Sequence, residues 1–211
     1  MLSGNIATHT LNNNCRNPDI ITLYIRVSTA PHTSACHMKY FIAVVPPNKL
    51  AAQIAAMQAT WGQNALPPHI TVKAPNSLPD SEWWLPEIKA LCERSMPIPV
   101  SLDGIGQFAS TVLYWRVTSP GLIALHQALL TILNPPPAER TAYFEGPAYV
   151  PHLTLLHGGQ GLDAAAFESA RTQVAILDSQ PTKFMATQLI VFKAIEPHQS
   201  YQIYQDFTLA G

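Results

Sequence analysis

Two tetrapeptides carry the clearest chemistry in this chain, Pro68-His69-Ile70-Thr71 and Pro151-His152-Leu153-Thr154. Histidine titrates near neutral pH, so a pair can hold one neutral imidazole as a base and one imidazolium as an acid. Breaking a phosphodiester needs both roles. A base activates water or a ribose 2′-hydroxyl, and an acid protonates the departing oxygen. Threonine hydroxyls beside the imidazoles can donate to the non-bridging oxygens. In a strand, residues i and i+2 share a face. His69, Thr71 and Lys73 therefore fall on one face, with Ile70 and Val72 on the other. His152 and Thr154 likewise oppose Leu153 and Leu155, and alternation puts His157 on the side away from His152. Each proline stands at a strand start, where its missing N–H costs little.

The repetition matters more than either copy. The chain has 8 histidines and 19 prolines. Multiplying frequencies for a motif this short, two matches arise in roughly one such chain in a thousand. A lone histidine on an apolar strand usually does no more than satisfy local hydrogen bonds. Two polar i, i+2 pairs on core strands are costly unless they line something useful.

The elements around the motifs must hold them. Lys39–Val45 reads as a strand. Leu50, Ile54, Met57 and Trp61 then recur at helical spacing until Gly62. The first motif strand follows, His69–Lys73, and then a helix over Ser81–Arg94 that tolerates Pro86 only in its first turn. Val100–Leu102, Gln107–Ser110 and Val112–Val117 read as short strands. Ser119-Pro120 opens a helix to Leu133 with Leu122, Leu125, Leu129 and Ile132 on one stripe. A Pro-rich loop leads to the second motif strand, His152–Leu156. A helix from Asp163 to about Ile176 and strands over Lys183–Ile195 and Tyr201–Leu209 complete the chain. Strand, helix, Pro-rich loop and motif strand thus occur twice, an α+β plan with an internal duplication and no linker between the halves.

Composition narrows the partners. The formal net charge of −1 provides no global basic field for duplex nucleic acid, so a nucleic-acid substrate must be short, single-stranded or locally held. Cys15, Cys36 and Cys92 are odd in number and lack C-x-x-C spacing, which argues against a disulfide framework or cysteine zinc site and for a reducing, cytoplasmic setting. No apolar run approaches the ~18–20 residues that span a membrane, and the N-terminus does not read as a signal peptide. Residues 1–37 are polar and Asn-rich apart from a short strand read at Asp19–Ser28, and are expected to form a weakly ordered extension before a domain over residues 38–211.

Taken together, His69-Ile-Thr-Val-Lys73 and Tyr149-Val-Pro-His152-Leu-Thr-Leu155 resemble the 2H phosphoesterase superfamily, which includes 2′-5′ RNA ligase-like proteins and cyclic phosphodiesterases. The likeness covers Met38 to Leu209. It implies a two-lobed α+β fold whose antiparallel sheets form a central groove, with helices outside. It also implies His69 and His152 as the acid–base pair, Thr71 and Thr154 as phosphate donors, and a 2′,3′-cyclic phosphate or 2′-5′ linkage as substrate. The chain departs from the RNA ligase-like pattern at His157, where those members often have arginine, and at Ala74-Pro75-Asn76 after the first motif.

Other candidates have two readings each. Lys73 can hold a phosphate as a point charge or end its strand in solvent. Tyr149 can stack on a base or serve packing. Tyr114 and Arg116, i and i+2 on one strand, can contact a nucleotide or form a partly exposed sheet face. His126 reads as bland. No cofactor or metal is expected, because no carboxylate stands at ligand spacing beside either motif histidine. The expected partner is a small nucleotide or single-stranded RNA end bound by a monomer. A non-catalytic nucleotide-binding protein of the same fold is the alternative.

Overall fold

Strand β1, Tyr40–Val44, is buried on both sides, and this sets the layering. Tyr40, Ile42 and Val44 join the main core under the helices, whereas Phe41 and Ala43 face the other way and cluster with Ile190 and Phe192. The computed structural model describes residues 40–63, 66–109, 111–158, 162–177, 182–194 and 200–211. The N-terminal extension expected over residues 1–37, the short strand read within it and the domain start at Met38 lie outside the described residues.

Each helix begins and ends where its residues dictate. Helix α1, Asn48–Thr60, is closed by Gly62 at φ 70, a left-handed conformation glycine adopts at no steric cost. Helix α2, Trp84–Glu93, starts at Trp84 rather than at Ser81 as read, without a side-chain cap, and this later start is what puts Pro86 in its first turn. Helix α3, Pro120–Leu133, is capped by the Ser119 hydroxyl, which accepts the Leu122 N–H at 3.3 Å, and it ends on Asn134 in the left-handed region. The Pro-rich loop, read as irregular, contains a short helix α4, Pro137–Ala142, and a 3-10 turn, Gly146–Ala148. In α5, Ala164–Leu177, Asp163 accepts the Ala166 N–H at 2.8 Å. Ile54, Trp84, Ile88, Leu122, Leu129 and Phe167 bring α1, α2, α3 and α5 onto one face of the sheet. Burying each such side chain contributes about 1.5–3 kcal/mol.

The remaining strands are β2 (Ile70–Lys73), β3 (Ile98–Phe108), β4 (Val112–Thr118), β5 (His152–His157), β6 (Thr182–Ala186), β7 (Gln188–Ala194) and β8 (Tyr201–Thr208). They form one curled, eight-stranded antiparallel sheet in the order β6-β3-β4-β5-β2-β1-β7-β8. The two motif strands are adjacent at its middle, and four strands lie in each half. The two expected lobes are therefore halves of a single sheet.

Two strand readings change. Val100–Leu102 and Gln107–Phe108 belong to one strand, β3, whose ladder slips between Leu102 and Ile105; Ala109 lies past its end, and Ser110 lies outside the described residues. The strand read over Lys183–Ile195 is two: β6 pairs with β3 in one half, and β7 pairs with β1 in the other. The chain crosses between halves there, so the halves are not contiguous in sequence.

Candidate active site at the seam of the sheet

Strands β2 and β5 meet at the register pair Ile70↔Leu153. Both residues are fully buried in the core under the helices. Their neighbours therefore project to the opposite, open face. Extending the register sets His69 across from Thr154 and Thr71 across from His152. Each histidine stands beside the other motif's threonine, with the two histidines on a diagonal. All four side chains are half-buried.

The two imidazoles are held alike. His69 Nδ1 lies 2.8 Å from the Pro67 carbonyl, and His152 Nδ1 lies 2.8 Å from the Val150 carbonyl. A carbonyl only accepts, so Nδ1 carries the proton and donates it, which leaves each Nε2 as the accepting nitrogen of the neutral ring. The intervening proline, with its locked φ, turns that i−2 carbonyl back onto the ring. Burial is the main cause that pulls both imidazoles below the ordinary histidine value, opposed by the carbonyl bond. The charge of His152 lowers His69 further.

Behind each histidine stands a stacked aromatic pair. Phe41 and Phe192 are 4.6 Å apart and nearly parallel, with His69 at 5.1 and 5.7 Å from their centroids. Phe108 and Tyr114 are 4.1 Å apart, with His152 at 4.8 and 5.4 Å. The second pair depends on Gly106. A Cβ there would lie 2.4 Å from the Tyr114 ring, so only glycine lets the ring lie flat across β3. The register puts Tyr114 opposite Thr154 and Arg116 opposite His152, so both share the motif face, and Arg116 is exposed there. A cavity of about 330 Å³ opens beside them, lined among others by Thr71, Phe108, Tyr143, Phe144, Tyr149 and His152.

Lys73 is not on this face. Between Ile42 and Ala43 the β1–β2 register shifts, so Thr71 pairs with Ala43 but Lys73 pairs with Ile42, a core residue. The extra residue, Val72, is a bulge, and it breaks the alternation that predicted a groove lysine. Lys73 is fully buried. Its ammonium lies 2.8 Å from Glu145 and donates to the Ala74 carbonyl and to the carbonyl and side-chain oxygen of Asn76. Burial pulls it down to about 8, against the opposing pull of Glu145. Ala74-Pro75-Asn76, the departure noted after the first motif, is thus the cage for this cation. A matching shift in β5 leaves Leu155 extra and pairs His157 with Val112, two residues from Tyr114. By register His157 returns to the His152 side, contrary to simple alternation, and it is buried there.

Tyr149 lines the cavity, but its hydroxyl donates to the Thr71 carbonyl at 2.8 Å and its ring is stacked on His126. Sequence reasoning missed Phe41, Phe192 and Phe108. The signal was present for Phe41, which alternates with the core residues Tyr40 and Ile42. Among the described residues, no group of three or more His, Cys, Asp or Glu side chains is placed to hold a metal ion, and no helix is long and apolar enough to cross a membrane.

A curled antiparallel sheet with two H-x-T strands at its midline is the architecture expected of a 2H phosphoesterase. Residues 46–195 match the family model described as the 2′-5′ RNA ligase superfamily, and the chain belongs to that superfamily. It is similar to a protein from Bacillus cytotoxicus named as a phosphoesterase, 27% identical over 129 residues, which is 56% of this chain and 69% of that one. Its fold is similar to that of TT0787 of Thermus thermophilus (TM-score 0.56, 17% identity, 82% of this chain and 98% of that one). It is also similar to E. coli LigT in complex with NADP+ (TM-score 0.53, 18% identity, 82% and 98%).

Proposed function

We propose that this chain is a phosphoesterase that opens 2′,3′-cyclic phosphates or cleaves 2′-5′ phosphodiester bonds in nucleotides or single-stranded RNA ends, using His69 and His152 as acid and base. The observation that carries the reading is the pair of imidazoles, each tied through Nδ1 to its i−2 carbonyl and each beside the other motif's threonine. With a cyclic phosphate in the groove, one neutral Nε2 takes a proton from water as the water oxygen bonds to phosphorus. The other imidazole, protonated, gives its proton to the ribose oxygen as that P–O bond breaks. The product is a phosphate monoester, and the histidines have exchanged protonation states. Thr71 and Thr154 hydroxyls donate to the non-bridging oxygens as charge builds there.

Arg116 supplies a cation beside His152, and the cavity lined by Phe108, Tyr143, Phe144 and Tyr149 suits a nucleobase. LigT, solved with 3′-AMP and with NADP+, supports a nucleotide as ligand. The groove chemistry draws on no metal. Hydrolysis of 2′,3′-cyclic nucleotides and 2′-5′ dinucleotides in EDTA tests this. Wild type should turn over at least one of them, and His69→Ala or His152→Ala should each lose at least ~100-fold in kcat. Saturable binding without product would make the chain a nucleotide-binding protein, and loss of turnover in EDTA would require a metal mechanism.

A further inference from the structure

The seam between β2 and β5 is thinly bonded for a site that must hold two catalytic pairs in register. The strands meet at the single pair Ile70↔Leu153 among the described residues, and each bulges one residue past its motif threonine. Backbone carbonyls at such a point need donors from outside the ladder.

Those donors come from the opposite half in both directions. Gln58 of α1, which follows β1, donates Nε2 to the Thr154 carbonyl of β5 at 3.2 Å. Tyr149, on the approach to β5, donates its hydroxyl to the Thr71 carbonyl of β2 at 2.8 Å. The next carbonyl along β2, that of Val72, accepts from Nδ1 of His126 on α3 at 2.7 Å. Rings of His126 and Tyr149 stack at 4.0 Å and 19°. His126 Nε2 accepts the Gly146 N–H at 2.8 Å, so this imidazole is neutral and engaged at both nitrogens. The bonds from Gln58, Tyr149 and His126 Nδ1 all go to main-chain carbonyls, so they do not compete for the hydroxyls of Thr71 and Thr154.

We infer that Gln58, Tyr149 and His126 are positioning residues that form a reciprocal clasp, each half of the sheet holding the main chain of the other half's motif and so setting the separation of His69 and His152. The inference rests on the two-histidine reading of the same groove. Its physical need is plain: a seam with one bridging pair can hinge, and a displacement of about 1 Å in a catalytic constellation can cost about 100-fold.

The test uses Tyr149→Phe and Gln58→Leu in the full chain. Tyr149→Phe keeps the ring, and with it any stacking on a base, and removes the hydroxyl that donates to Thr71. Each variant should lower kcat on a 2′,3′-cyclic nucleotide about tenfold and leave KM within about twofold. A second readout needs no turnover: the NMR titration of the His69 imidazole with and without His152→Ala. Removing His152 should raise the His69 midpoint, and adding Tyr149→Phe should shrink that rise by half or more. If the rise shrinks while wild type turns over no nucleotide, the clasp stands and the functional reading falls. The clasp is overturned if His152→Ala causes no rise, or if Tyr149→Phe leaves the rise unchanged, whatever happens to melting temperature or kcat.

Discussion

The two halves of the groove share a backbone and differ in their company. In each, the motif histidine donates Nδ1 to its i−2 carbonyl, an aromatic pair stands behind the ring, and a bulge follows the threonine. Beside the first motif, the neighbours are apolar: Ala43 lies opposite Thr71, and Val45 and Tyr201 pack on Phe41 and Phe192. Beside the second stand Tyr114, Arg116 and most of the cavity's lining, to which the first motif strand and its end add Thr71, Val72 and Ala74. The main-chain features that the proposed acid–base chemistry would need are alike in both halves. The surrounding side chains differ, so that under the proposed function holding the substrate would fall to the second half.

The bulge in β2 can be probed through the buried cation it creates. Glu145→Ala leaves the Lys73 ammonium buried without its carboxylate, and this should cost about 3–5 kcal/mol in a denaturant titration. Replacing the pair together, Lys73→Met with Glu145→Leu, should recover most of that loss. A Glu145→Ala protein as stable as wild type would show that the cage at Ala74–Asn76 does not need the ion pair.

A pH profile sharpens the shared part of the comparison. The proposed mechanism needs one protonated and one neutral imidazole in the free protein, and burial holds both below the ordinary value of 6.5. As pH rises through and above that value the protonated member is lost. kcat/KM should therefore peak below pH 6.5 and fall about tenfold per pH unit well above it. A peak above pH 7 would contradict the lowered imidazoles.

The divergent part has a smaller effect. Arg116 is exposed, so its attraction for a phosphate is screened and should amount to about 1 kcal/mol. Arg116→Ala should raise KM roughly five- to tenfold and leave kcat nearly unchanged. A kcat loss without a KM change would move Arg116 from holding substrate to the chemical step.

Much of this was legible in the residues themselves. The H-x-T strands, the capped helix at Ser119 and the first-turn proline at Pro86 are local, and local rules read them. Lys73 was misplaced because alternation holds only along an unbroken ladder, and the bulge at Val72 is set by pairing with β1. The split at Thr187 is hidden in the sequence because no glycine or proline stands between β6 and β7, whose pairing with different halves separates them. His126 reads as bland and Gln58 draws no notice in the sequence because their partners are 54 and 96 residues away. The aromatic walls behind the histidines escaped notice for the same reason, since each is assembled from separate strands.

The central claim is that the two histidines, one from each half, act as a single acid–base unit. The most direct measurement is kcat on a 2′,3′-cyclic nucleotide for the double variant His69→Ala/His152→Ala beside the two single variants. Groups that act as a unit are not additive, so the double should be no slower than the worse single to within a few-fold. Losses that multiply, about 10⁴-fold in the double for ~100-fold in each single, would mean that the histidines contribute independently and would contradict the account.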